Sequence, residues 1–149
     1  MQWIAQNRKA YHTYSVGESF EAGLVLTGTE VKSLRNGSAN LQDGYGAVHE
    51  GEIFLHHVHI PPFAQGNRSN HEPLRTRKLL LKQQEIKKIS GHVAQKGMSI
   101  IPLKLYFKNG LVKVEIALCK GKKKYDKREQ ISKESARREM KQARAKNRG

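Results

Sequence analysis

Cysteine is almost missing from this 149-residue chain. Cys119 stands alone, so no intrachain disulfide can form and the sequence suits a reducing compartment. Long apolar runs are missing too. No stretch approaches the roughly 18 residues of a membrane-spanning helix, and residues 1–9 lack the apolar centre of a signal peptide. The phosphate-loop pattern GxxxxGK[ST] is absent, and no Ser or Cys sits in a recognisable nucleophile elbow. Acidic charge is scarce, with 13 Asp and Glu against 28 Lys and Arg, for a formal charge of +15. These absences argue against a secreted, membrane-spanning or nucleophile-bearing protein, and no cofactor is expected. What remains is a basic binding protein, expected in the cytoplasm and as a monomer.

The positive charge is spread through the whole chain. Residues 120–149 hold 13 basic and 4 acidic side chains, or +9, which leaves +6 for residues 1–119. The natural partner of two basic segments is a polyanion. Nucleic acid fits better than a membrane surface, because the C-terminal segment lacks the bulky apolar stripe of an interfacial helix. From Gly121 onward, Tyr125, Ile131 and Met140 are the only large apolar or aromatic residues, too few to offset the entropy of ordering that segment alone. Two regions are therefore expected: a body over 1–119 and a basic tail over 120–149.

Within the body, residues 19–27 alternate, with Phe20, Ala22, Leu24 and Leu26 on one face and Glu21 on the other. TGTEVKSLRNG predicts a short helix capped by Thr29 and ended by Gly37, with Val31 and Leu34 inward and Lys32 and Arg35 outward. Residues 45–60 predict two strands around a turn at His49-Glu50-Gly51-Glu52, stopped by Pro61-Pro62. A polar loop over 62–77 leads to a strand at 77–81. A helix of about 14 residues follows, with Ile86, Ile89 and Val93 on one face and Gly97 past its end. In KLYFKNGLVKVEIAL, Asn109-Gly110 is the favoured type I′ turn. Its register sets Phe107, Leu105 and Leu103 opposite Val112, Val114 and Ile116, and puts Lys104, Tyr106 and Lys113 on the outer face. The expected fold is mainly β: a compact antiparallel barrel of OB type with two short helices.

Two side-chain groups invite a chemical role. His57 and His59 in HHVH share a predicted strand face as a chelating pair would, but no neighbouring Cys or carboxylate cluster completes a ligand set, so no metal is expected. Arg68, His71, Arg75, Arg77 and Lys78 fall close together, and Lys104, Tyr106 and Lys113 share the hairpin's outer face. Cations that pair with phosphates beside flat groups that stack on bases are the usual equipment of an RNA binder. Glu21 would then accept hydrogen bonds from base amino groups or 2′-hydroxyls. On these features alone, a ribosomal protein with a basic extension embedded in rRNA fits as well.

The blocks NRKAYHTY, EAGLVLTGTEVKSLRNGSANLQD, GNRSNHEPLRTRKLLL and KNGLVKVEIALCKGKKKYDKRE are more specific. Together they resemble the small protein B family of bacterial tmRNA-binding proteins, from about Asn7 to Glu129. The resemblance implies an OB-like barrel that grips the tRNA-like domain of tmRNA and acts without catalysis in trans-translation on stalled ribosomes. Partners would include small-subunit rRNA and elongation factor Tu with GTP. Asn7, Glu21, Leu80 and Lys113 match family positions tied to tmRNA binding; charge and predicted exposure add Lys32, Arg35, Arg75 and Lys78. In the family the tail is disordered when free and helical on the ribosome, lying in the empty mRNA channel. Lys122, Lys123, Tyr125, Asp126, Lys127 and Arg128 match its most distinctive stretch near the decoding centre. Tyr125 stands where many members carry His, which keeps a flat face and loses a charge switch. Lys82 stands where some have Asn or His, and it caps a helix poorly.

Overall fold

A computed structural model describes residues 1–64 and 70–121. Asn109 and Gly110 take φ values of 53° and 79°, the left-handed pair that a two-residue type I′ turn requires. The turn joins the two longest antiparallel partners, Ser99–Lys108 and Leu111–Gly121. Around this hairpin the elements run β1 (Gln2–Gln6), α1 (Ala10–Thr13), β2 (Tyr14–Leu24), α2 (Gly28–Asn36), β3 (Tyr45–His49), β4 (Glu52–His56), β5 (Arg77–Leu80), α3 (Gln83–Lys96), β6 (Ser99–Lys108) and β7 (Leu111–Gly121). The fold is mainly antiparallel β, as expected, but it has three helices among the described residues rather than two, and β1 is an additional strand. β7 also carries the body two residues past the compositional break, through Gly121.

The strand pairings return to their start. β6 pairs with β7, β7 with β2, β2 with β5, β5 with β4, β4 with β3, and β3 with β6 again. Six strands thus form one hydrogen-bonded ring, consistent with an OB-like arrangement. β3 and β1 share one edge of β6: β3 meets it at Ile100, and β1 runs beside Lys104, Leu105, Tyr106 and Phe107. Closure at Ile100 depends on Gly46, where a Cβ would stand 2.6 Å from Ile100 Cγ2 and 2.9 Å from its Cβ. Any larger residue would push β3 off β6.

Phe20, Ala22, Leu34, Ile53, Leu55, Leu79, Ile89, Leu105, Val114 and Ile116 fill the interior. Alternation delivers them, since every second residue of a strand faces inward. Leu103 departs from its expected place. A bulge between Pro102 and Lys104 sets Pro102 opposite Ile116, and Leu103 turns to a second cluster with Ala10, Ile101, Ala117 and Cys119. Proline has no N–H to give a ladder and favours such irregularities. Cys119 is small apolar filler there, its thiol pushed up to about 11 by burial.

Helix α2 begins at Thr27, not Thr29. Thr27 Oγ1 accepts from Glu30 N at 3.4 Å, while Glu30 Oε1 accepts from Thr27 N at 2.8 Å. Thr-x-x-Glu makes this reciprocal box possible, whereas a cap at Thr29 would have Lys32 in the answering position. Thr29 instead meets His71 Nδ1 at 3.0 Å. Helix α3 matches its expected length and ends at Gly97 with φ 64°. The Lys82 side chain has no acceptor, so only the return half of a box forms there, from Lys82 N to Glu85 Oε1 at 3.0 Å. The expected pairing of His57 with His59 on one strand face fails, because β4 ends at His56 and His57 takes a φ of 60°. The rings of His56 and His57 stack on Tyr45 instead, at 5.2 and 5.5 Å.

Candidate nucleic-acid interface

Residues directly opposite one another in antiparallel strands share a face. Tyr106 stands opposite Trp3 on one side and Lys113 on the other. Lys113 stands opposite Gly23, and Gly23 opposite Leu80. The adjoining row runs from Lys104 through Glu115 to Glu21. Four of the expected contact residues therefore come together: Glu21, Lys78, Leu80 and Lys113 line one open groove of about 580 Å³, along with Gly23 and Lys82. Leu80 is 52 % exposed while its neighbour Leu79 is buried in the core. A Leu in an apolar run is usually core; here alternation sends Leu79 inward and leaves Leu80 on the surface. Its side chain lies across Gly23, where a Cβ would approach Leu80 Cβ to 3.3 Å.

The charges on this face are partly committed. Glu21 accepts from the Tyr106 hydroxyl at 2.5 Å and from Lys108 Nζ at 3.4 Å. The Tyr106 bond, helped by Lys108 and Lys113, outweighs burial and holds the Glu21 carboxyl below its usual range. Burial and the same carboxylate push the Tyr106 hydroxyl well above its ordinary value, so it remains a donor. Glu21 and Glu115 lie opposite each other, a repulsive pairing offset by Lys108 on the first and by Lys104, 3.9 Å from the second. Lys78 reaches Glu52 at 3.7 Å. Lys113 makes no ion pair among the described residues, which leaves its ammonium for a ligand. The groove therefore offers a free cation, an acceptor whose geometry Tyr106 fixes, and an apolar side chain for a sugar or base to rest on.

The other expected residues are placed elsewhere. Asn7 is buried, its amide donating to Pro102 O at 3.0 Å and Leu41 O at 3.3 Å. It fastens the end of β1 beside a separate polar pocket that includes Arg8, Lys9 and His59. Lys32 and Arg35 are exposed on α2, with Lys32 5.9 Å from the Phe63 ring centre and Arg35 5.1 Å from that of Phe107. Phe107 faces the interior, so Arg35 caps the end of the core and is not part of the groove. Arg75 corrects an expectation of free exposure. Its guanidinium bonds both oxygens of the buried Glu30 and the Val25 carbonyl. Arg77 is buried on Glu30 at 2.6 Å, and His71 is buried against Thr29 and Ile60. The apparent basic loop is thus largely turned inward. Arg68 and the tail positions Lys122, Lys123, Tyr125, Asp126, Lys127 and Arg128 lie outside the described residues. Sequence reasoning missed Trp3, whose one signal was a large aromatic close to the N-terminus.

The family model described as SmpB protein matches residues 4–146. The chain belongs to the SmpB family. The match takes in the groove and the basic tail alike. Relatives named SsrA-binding protein include one from Geobacillus kaustophilus, 57% identical over 140 residues that cover 94% of this chain and 90% of that protein. Another, from Geobacter metallireducens, is 59% identical across 94% of this chain and 92% of its own length. A solved structure described as "tmRNA-SmpB: a journey to the center of the bacterial ribosome" aligns with a TM-score of 0.67 and 42% identity, over 80% of this chain and 84% of that one. Among the described residues, no helix is long and apolar enough to cross a membrane.

Proposed function

We propose that this chain binds tmRNA and serves trans-translation on the ribosome, with the groove of Glu21, Lys78, Leu80 and Lys113 as the grip on the tRNA-like domain. The observation that carries the assignment is the register of β7, β2 and β5, which sets Lys113, without an ion pair among the described residues, and an exposed Leu80 on either side of Gly23 in an SmpB-family chain. Lys113 pairs with a phosphate, and Glu21 accepts from a base amino group or 2′-hydroxyl. Lys32 and Arg35 add attraction from α2, and Asn7 holds the neighbouring Arg8 and Lys9 in place. Arg75 and Arg77 support the fold. The work is binding and positioning, without catalysis, in the cytoplasm. Alanyl-tmRNA reaches the stalled ribosome with this chain and elongation factor Tu with GTP. Residues 122–149 then engage small-subunit rRNA near the decoding centre and along the mRNA channel, where their positive charge meets phosphate.

Sequencing the RNA that co-purifies with the full chain tests the assignment. tmRNA should dominate; rRNA alone, in stoichiometric amount, would mark a ribosomal protein instead. A chain ending after Gly121, where β7 ends, should keep most tmRNA affinity and lose tagging of stalled products. Full tagging by that truncation would refute the tail's role.

A further inference from the structure

Trp3 is the only tryptophan in the sequence, and the fold leaves it 54 % exposed. β1 sets it opposite Tyr106, with ring centres 5.4 Å apart and planes at 69°. Lys104 Nζ lies 5.3 Å from the indole centre. Tyr106 is only 5 % exposed, and its hydroxyl ends on Glu21, so Trp3 is joined to the groove through one buried ring. Covering Tyr106 uses one part of the indole; more than half remains open to solvent. The surroundings carry Lys104, Lys108 and Lys113 against Glu21 and Glu115, a charged and net positive face that favours a polyanion over an apolar protein partner. Among the described residues Lys104 pairs with Glu115 alone, across a long contact about one-third exposed that is cheap to exchange.

We propose that Trp3 and Lys104 form a second RNA contact on this face, in which an unpaired base stacks on the indole and Lys104 pairs with the adjoining phosphate. It rests on the groove being the tmRNA grip and extends that grip one strand further, from β7 and β6 onto β1. Stacking suits the position because every base has a π-face, so Trp3 anchors a nucleotide without dictating its identity.

Being the sole tryptophan, Trp3 reports on this position by itself. The full chain is titrated with the isolated tRNA-like domain of tmRNA while indole emission and acrylamide quenching are followed. Emission should change in step with binding, and the indole should become protected from acrylamide. Trp3→Leu keeps an apolar cover on Tyr106 but removes the large π-face, and should bind about tenfold more weakly. Trp3→Phe should recover much of that loss. Emission and acrylamide access unchanged at saturation, or full affinity in Trp3→Leu, would overturn the proposal. A Trp3→Leu protein that unfolds leaves the wild-type emission and acrylamide result to decide. Lys113→Ala, run alongside, separates the two readings. Weak binding by Lys113→Ala with a silent Trp3 removes this contact and keeps the groove, whereas full affinity in both variants removes the groove as well.

Discussion

Two glutamates with basic neighbours divide this molecule between them. Glu30 is wholly buried, with Arg77 at 2.6 Å and Arg75 at 2.7 Å. Glu21 lies on the outer face of β2, with Lys108 at 3.4 Å and Lys113 nearby without an ion pair among the described residues. In the sequence both are acids in a basic chain. In the fold, the first set has both guanidinium groups committed to one carboxylate and to the carbonyls of Val25, Val58 and Pro73. The second set retains capacity. Arginine's planar fork suits the closed arrangement, and lysine's single mobile charge suits the open one. On the proposed reading, binding follows from charge left uncommitted, and net charge alone does not reveal where that is.

The comparison predicts that variants separate onto two axes, stability and RNA affinity. The largest effect is expected from Arg77→Ala, which strands a buried carboxylate and should cost about 3–5 kcal/mol of stability by denaturant unfolding. In the wild type, burial opposes the Glu30 charge, but Arg75, the Thr27 N–H and Arg77 together hold its carboxyl below the usual 4.5. A depressed folded value means that this contribution is complete above the unfolded value. It is lost as pH falls from there through the folded one. Acid unfolding followed by circular dichroism should therefore show wild-type stability dropping below about pH 4.5, with Glu30→Gln flatter over that window. An equal acid slope in both proteins would remove Glu30 from the account.

Next in size are the groove variants. Glu21→Ala and Lys113→Ala should each weaken binding of the tRNA-like domain by roughly 1–3 kcal/mol, the scale for hydrogen bonds to charged groups. Gel-shift titration and thermal melting on the same preparations check this, with melting expected to be nearly unchanged in Lys113→Ala and lowered in Glu21→Ala, which strands the buried Tyr106 hydroxyl. Arg75→Ala belongs on the other axis, since its guanidinium is one-third exposed and braced on Glu30. It should cost about 1–2 kcal/mol of stability and leave RNA affinity within error. Smallest is Lys78→Ala. Its partner Glu52 is a surface contact worth under about 1 kcal/mol, so stability should hold, while the slope of log affinity against log salt should fall by about one.

How much of this was legible beforehand depends on how locally each feature is determined. The 103–116 hairpin was readable because turn chemistry and alternation agree on one register, and it failed only at Leu103, where Pro102 forces a bulge. Helix α3 was readable from its periodicity and its terminal Gly97. Lys113 and Glu21 were placed outward by the same alternation. Strand β1 was not foreseen, because a five-residue strand exists here only where β6 offers an open edge, which no local pattern announces. With it went Trp3. The Thr27-to-Glu30 box was present in the letters, but the burial of Glu30 depends on Arg77, 47 residues away. Arg75 looked like a free cation for the same reason.

The most direct test of this division sets two single substitutions side by side. Lys113→Ala and Arg75→Ala are compared in the full chain for dissociation constant on the tRNA-like domain of tmRNA and for Tm. The account predicts Lys113→Ala about 5- to 150-fold weaker in binding with a wild-type Tm, and Arg75→Ala lower in Tm with wild-type affinity. Wild-type affinity in Lys113→Ala, together with a folded Arg75→Ala that no longer binds, would contradict it.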